Sequence, residues 1–408
     1  MSVADKYKGS GDVIIDAVYI VIDEGTHNED TIDLSQLFEE VVLCESIDDF
    51  CMSGSISILD GYNLRDNAPI YGGERINIVF HTTGAPDHPI QYTGIVYNIS
   101  APAKTSEHVS AYSIHFVSDF QYVNARTYVN AALTGNVSEI VQRIANKREM
   151  LAGKRFVDTP TKGITKYTFG RERPATAIAY AMRGAVSAQA KSGYVFFENN
   201  KEFRFHPITE LYASEPVTEY TYRVGSFFQE TDQRHVEKFN AIQEYEVLED
   251  SDMMSRIREG QHGATWVYLD ILNKKIHTKH YDREKEYTQT DSLGSLAVKK
   301  NISNGQYTDN TFFAVVANED HLPINDYHTG VMNRRQSETI RLRITTYGDS
   351  GIKAGDTCIA TLPDIQMNQG DGSRMIRGKF LISAIKHIVR KNSYMQTIEL
   401  RKDAYEKI

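Results

Sequence analysis

The residues of this chain that could support chemistry fall into four groups. His277-Thr278-Lys279-His280, with Asp282 and Glu284 close by, offers the imidazole and carboxylate groups that a metal takes as ligands. The histidines lack the i, i+4 spacing that sets two ligands on one helical face, and no second cluster accompanies them, so the stretch reads as a solvated charged loop. Asn368-Gln369-Gly370-Asp371-Gly372 resembles a calcium loop superficially. The alternating oxygen ligands and the closing glutamate are missing, which leaves a hairpin loop. The acidic pairs Glu39-Glu40 and Asp48-Asp49 are adjacent, and neighbours on a strand point to opposite faces, which is poor geometry for a general acid and base acting together. No GxSxG elbow, Walker A loop or dinucleotide glycine fingerprint occurs.

The fourth group is basic: Arg334, Arg335, Arg341 and Arg343. Arginine suits interfaces because its planar fork pairs with carboxylates, while charge on an edge strand also guards it against unwanted pairing. The three cysteines, Cys44, Cys51 and Cys358, are odd in number and show no CxxC spacing, so reduced thiols are expected rather than a disulfide framework or a zinc ribbon. No catalytic, cofactor-binding or metal-binding residue is assigned.

At 408 residues the chain suggests two to four domains, and 41% hydrophobic residues suffice for a substantial core. Its 24 tyrosines against one tryptophan suit half-buried sheet faces and subunit contacts, the ring being apolar and the tip polar. Fifty-four acidic and 45 basic residues give a formal charge of −9, so clustered neutralisation of phosphates is not expected, and neither is sequence-specific nucleic-acid binding. Met1 to Gly11 lacks the apolar core of a signal peptide, and the run Val13 to Ile22 is too short to span a membrane, so folding in the cytoplasm without membrane insertion is expected.

The elements that would position these groups are mostly strands. Ser55-Ile56-Ser57-Ile58, Arg75-Ile76-Asn77-Ile78 and Tyr112-Ser113-Ile114-His115-Phe116 alternate polar with apolar residues, as strands with one buried face do. Asp60-Gly61, Gly72-Gly73, Thr83-Gly84 and Ala101-Pro102 separate them as turns. After about Asn124 the pattern changes. Asn136 caps a helix with Val137, Ile140, Val141 and Ile144 on one face, and Pro174 opens a second with Ile178, Ala181, Met182 and Ala185 buried. Tyr194–Phe197 and Phe203–Phe205 form a hairpin. Strand character returns near 216, with Asn240 to Val247 as a strand. A polar stretch over about 251–335 containing Trp266 and Pro323 interrupts it, and alternation resumes at Thr339 to Ile344.

The two β regions correspond. At an offset of 284, Gly94 falls on Gly378, Ile56 and Ile58 on Ile340 and Leu342, and Ile114, Phe116 and Asp119 on Ile398, Leu400 and Asp403. Ile76, Ile78 and Phe80 match Cys358, Ala360 and Leu362 when a two-residue gap is allowed. A duplicated barrel presents two near-equivalent surfaces, so three copies of the chain could mimic a six-fold ring.

With Gly54-Ser55-Ile56-Ser57-Ile58-Leu59-Asp60 leading into Gly72-Gly73-Glu74-Arg75-Ile76-Asn77-Ile78, and Gly355-Asp356-Thr357-Cys358-Ile359 before Gly378-Lys379-Phe380-Leu381-Ile382, the chain resembles the central baseplate hub proteins of contractile-tail bacteriophages, and more distantly the hub portion of type VI secretion machines. The resemblance covers nearly the whole chain and implies a mainly β fold with α+β insertions: two related tube-type β-barrel or sandwich domains around a small helical α+β domain. The first barrel would occupy 1–124, the α+β domain 125–215, the second barrel 216–250 and 336–408, and an inserted domain 251–335. It further implies a homotrimer in the virion tail baseplate, assembled in the host cytoplasm and bound to a central spike protein and to tail tube or tube-initiator proteins. The tape-measure protein's terminus would lie in a lumen that passes DNA, where net negative charge suits a non-sticking channel. Ile56, Ile58, Ile340 and Leu342 are the barrel-strand residues expected to support assembly, with the four arginines as interface candidates. A glycan- or receptor-binding tail module using exposed tyrosines is the rival reading, and a cell-wall hydrolase a further one.

Overall fold

A computed structural model describes residues 11–22, 24–25, 29–67, 70–83, 87–105, 108–147, 150–222, 240–250, 254, 258, 263–271, 273–282, 311–316, 330–335, 337–362 and 377–404. Glu284, Pro323 and the Asn368–Gly372 loop lie outside the described residues. The fold is mainly β.

The first copy of the repeat contains β1 (Val13–Ile22), β2 (Asp30–Asp33), β3 (Phe38–Ser46), β4 (Ser53–Asp60), β5 (Arg75–Thr82), β6 (Ile90–Ile99), β7 (Ala103–Lys104) and β8 (Ser110–Val117). Alternation forces their curvature: Ile56 and Ile58 of β4, Ile76, Ile78 and Phe80 of β5, and Ile114 and Phe116 of β8 all turn into one core. Gly72 and Gly73, with φ of 108° and 103°, make the turn that leads into β5 in a region closed to most L-residues.

A compact α+β unit follows. Helix α1 (Asp119–Arg126) starts at Ser118, whose side chain accepts from the Phe120 amide. Strands β9 (Val129–Gly135) and β11 (Thr165–Glu172) form an antiparallel pair, while β10 (Arg155–Asp158), β12 (Tyr194–Glu198) and β13 (Glu202–Pro207) make a three-stranded sheet. Helix α2 (Val137–Ala145) is capped by the Asn136 side chain, which accepts from the Glu139 amide, and α3 (Pro174–Met182) has proline in its first turn. Their apolar stripes meet the sheet at Phe196, Phe203 and Phe205. Helix α4 (Ile208–Ala213) ends the unit.

The second copy comprises β14 (Pro216–Tyr222), β15 (Ala241–Ile242), β16 (Glu244–Asp250), then β20 (Ile340–Tyr347), β21 (Thr357–Thr361), β22 (Arg377–Arg390) and β23 (Ser393–Lys402). Between β16 and β20, a separate sheet is formed by β17 (Gly263–Asp270), β18 (Lys275–Asp282) and β19 (Thr311–Val316), with Trp266 stacked on Tyr268.

The two copies share one strand order. β4, β8, β6 and β5 pair antiparallel in sequence across the first, and β20, β23, β22 and β21 do so across the second. A bulge falls at the same place in both, between Val96 and Asn98 in β6 and between Ile382 and Ala384 in β22. The pairing bears out two of the expected matches, Phe116 with Leu400 at an offset of 284 and Ile76 with Cys358 at 282, and corrects the others: Val96 matches Ile382 at 286 and Ile56 matches Ile344 at 288. Hence Ile340 and Leu342 are not the partners of Ile56 and Ile58, and Gly378 is not that of Gly94. All four offsets are even, as they must be, because an odd slip would turn a strand's apolar set to solvent.

One contrast marks the outer strands: β1 runs antiparallel to β5, whereas β14 runs parallel to β21. The copies merge along a seam where 384–390 of β22 pair antiparallel with 40–46 of β3, giving a single 15-stranded sheet. A small fourth core, with Ile47, Val195, Phe197, Ile208, Leu211, Tyr212, Ala354 and Leu381, cements both copies to the α+β unit.

Candidate assembly surface

Ile56, Ile58, Ile340 and Leu342 are all buried within their own cores. Their side chains pack inside the sheet's two cores. The arginines separate into two places. Arg341 and Arg343 stand on β20, on the face opposite Leu342, where Arg343 bonds Glu246 and Glu399 at 2.9 Å each and Arg341 approaches Glu399 at 3.7 Å. These are cross-strand ion pairs within the chain. Arg334 and Arg335 belong to a helical turn over 330–335 and line a shallow cleft with Asp48, Glu338 and Arg401. Arg401 pairs there with Asp48 and, at 3.3 Å, with Glu338.

The histidine cluster lies on a strand rather than in a loop. His277 faces Tyr268 and His280 faces Thr265 along β18, with His280 Nδ1 3.0 Å from Thr265 Oγ1. Three residues apart on a strand, the two rings point to opposite faces and do not converge. Among the described residues no group of three metal-ligating side chains occurs. Glu39 sits at a bulge in β3 and Glu40 bonds Arg390 at 2.9 Å, while Asp48-Asp49 occupies a bend after β3. Cys44 and Cys51 are half-buried and Cys358 is buried; burial raises all three thiols, Cys51 to about 12, so none is a ready thiolate.

The residues that hold the copies in a fixed relation escaped the sequence reading. Glu45, on β3, is buried and accepts from the Ala354 amide of the second copy at 3.2 Å and the Asn200 amide of the α+β unit at 3.1 Å. Glu198 of β12 bonds Lys154 at 2.8 Å and accepts from the Met52 amide at 2.9 Å, tying the unit to the first copy. Glu202 is clamped by Arg204 and Arg155 at 2.8 and 3.0 Å. Burial pushes its carboxyl up, but these cations hold it below the usual range. Arg75 grips Asp119 with two bonds of 3.1 Å. The signal available in sequence was the length of β22, whose 14 residues outrun one barrel and reach the next.

Besides the outer strands β2 and β15, two stretches of the large sheet pair on one side only among the described residues. β16 pairs with β20 alone among the described residues. Its Tyr245 and Val247 lie opposite Ile344 and Leu342, on the core-facing side, yet stay 40% and 41% exposed. Among the described residues the end of β6 and β7 pair with β8 alone, with Asn98 and Ala101 to Lys104 exposed.

No family model matches the chain, and no curated protein matches it in sequence. Solved structures do match. The tail protein from Neisseria meningitidis MC58 aligns over 96% of this chain and 97% of its own, at 13% identity and a TM-score of 0.58. The 43 kDa tail protein of prophage MuSo2 from Shewanella oneidensis aligns over 95% of this chain and 99% of its own, at 10% identity and a TM-score of 0.57. This chain shares their fold. The likeness runs through both copies and the α+β unit, since almost the full length of each protein aligns.

Proposed function

We propose that this chain is a structural hub of a phage tail baseplate. Three copies make a ring whose two barrels per chain supply six similar units, adapting a six-fold tail tube to a three-fold central spike and leaving a channel for DNA. The observation that carries this reading is the pair of barrels with one strand order, joined edge to edge in a continuous sheet. A ring of six needs units that meet in this way, and the seam at β22 and β3 is one such meeting. The shared fold with two tail proteins supports it.

In this reading the chain divides into a first barrel (1–124), an α+β domain (125–215), a second barrel (216–250 and 336–408) and an insertion (251–335) free to meet the spike or other baseplate proteins. The buried ion pairs serve rigidity and not turnover, so the hub is not an enzyme and works in the virion. A formal charge of −9 suits a channel that DNA must not adhere to.

The test is the mass of the purified protein in solution, alone and mixed with its neighbouring spike protein. Three chains in either case are expected, with three-fold ring particles in electron micrographs. A monomer under both conditions overturns the hub and favours the receptor-binding reading, which glycan arrays would then address.

A further inference from the structure

The open edges have closed counterparts inside the same chain. In the first copy β3 lies between β4 and β22. Its counterpart is β16, because Val41 faces Ile56 and Tyr245 faces Ile344, the residue equivalent to Ile56. The stretch of β22 that meets β3 corresponds in turn to the end of β6 and β7, shifted by 286 residues. So among the described residues the chain forms one seam from a β3-type and a β22-type edge, and leaves one further edge of each type open.

We infer that β16 of one chain pairs antiparallel with the β6–β7 edge of the next copy of this chain, repeating between chains the seam that β3 and β22 make within one. The register follows. Leu43 faces His387, and their counterparts are Val247 and Ala101. Each open edge carries a bulge next to that pair, after Val247 in β16 and between Ser100, bonded to Ser113, and Ala103, which faces Ala111.

Burial agrees with this pairing. Val41 and Leu43 are 1% and 0% exposed beneath the internal seam, against 40% and 41% for Tyr245 and Val247, so the second barrel lacks the cover that the first one has. Val41 meets Val389 inside the chain, and the counterparts of that pair are Tyr245 and, past the bulge, Lys104, whose aliphatic stem can lie along the ring. Arg390 bonds Glu40 at 2.9 Å across the internal seam, whereas the counterparts of that pair, Glu244 and, past the bulge, Thr105, would carry no ion pair. Because the two edges differ, the contact is head-to-tail and closes only as a ring.

This inference rests on the ring reading, and the experiment separates the two. The double variant Val247→Cys with Ala101→Cys is oxidised in the full-length protein beside each single variant, and the mass of the wild-type chain is measured in parallel. Covalent two- and three-chain species in the double variant, absent from both single variants, are expected. A wild-type ring without that cross-link overturns the proposed edges and leaves the ring standing; a monomer without cross-link overturns both. A second variant guards against damage from the cysteines. Tyr245→Lys, at a side chain 40% exposed on β16, should reduce the ring to a single chain; a variant that keeps the ring counts against β16 as the contact edge.

Discussion

Glu45 of β3 and His387 of β22 meet across the seam between the two copies, Oε1 to Nε2 at 3.4 Å, with both side chains fully buried. The other ring nitrogen lies 2.7 Å from the Tyr394 hydroxyl, which accepts from Gln396 Nε2 at 2.9 Å. Gln396 Nε2, which can only donate, also stands 3.1 Å from Nδ1, so Nδ1 accepts and the ring N–H lies on Nε2, directed at Glu45. With the Ala354 and Asn200 amides, the carboxylate gathers donors from the α+β unit and the second copy while its own backbone belongs to the first. A buried acid so placed fixes the relative pose of three units, which a ring of fixed pitch requires.

Removing that acceptor leaves two amides and an imidazole N–H without a partner in a dry seam. Glu45→Ala should cost about 3 kcal/mol, the usual penalty for breaking a buried network on one side. Glu45→Gln keeps one carbonyl acceptor and should cost less. Guanidinium unfolding measures both, and a loss for the alanine variant under about 1 kcal/mol would mean the network contributes little.

Gly348 marks a close approach in the same region. A Cβ there would stand 2.1 Å from Tyr394 Cγ, inside the ring's own volume, and the ring is held by Phe80 edge-on at 5.3 Å. Gly348→Ala should therefore destabilise by about 1–3 kcal/mol through overpacking. Tyr394→Phe should not rescue it, since the ring and not the hydroxyl is in the way. Melting temperatures of the two variants and their combination test this.

Much of the fold was legible because alternation is a direct consequence of one-sided burial. β4, β5, β8 and β20, the Asn136 cap and the Pro174 helix start could all be read from local pattern. The seam was not, for two physical reasons. Glu45, His387 and Gln396 have the composition of surface residues, and only the fold reveals that their partners are one another. The repeat was visible but mis-registered: Ile56 looked like the twin of Ile340, whereas loops of different length move each strand by an even number of residues that alternation cannot detect. The histidine stretch was mistaken for a loop because the charges around His277 and His280 mask a half-exposed strand.

The stability should depend on pH through His206. Its Nδ1 is 2.7 Å from Thr159 Oγ1, which donates to Glu210 at 2.8 Å and so accepts from the ring N–H. Burial lowers the pKa of this imidazole despite the opposing pull of Glu210. The unfolded chain, with an ordinary value of about 6.5, then takes up the proton first. Stability is fully present above about pH 6.5 and is lost as the pH falls through the lower folded value. Urea midpoints between about pH 7.5 and about pH 5 should fall, and His206→Gln should flatten the slope.

The arginines of β20 should prove mild. Arg343 is 42% exposed and engages Glu246 and Glu399 on the surface, so Arg343→Ala should shift stability by less than about 1 kcal/mol. Since its partners belong to its own chain, the variant should keep the solution mass of the wild type. A change in mass with unchanged stability would place Arg343 at a subunit contact instead.

Val247→Lys separates assembly from folding most directly. Val247 is 41% exposed and borders the open side of β16, so a charge there meets water in the lone chain and the fold should stay within about 0.5 kcal/mol of wild type. In the ring the same side chain would lie under the neighbouring edge, where an unpaired ammonium is strongly disfavoured. Lysine on an edge strand also discourages pairing in general. The expected outcome is a monomer with an unchanged urea midpoint. A variant that keeps its ring would show that β16 faces solvent in the assembly, and one that unfolds would show that this edge belongs to the second barrel's core.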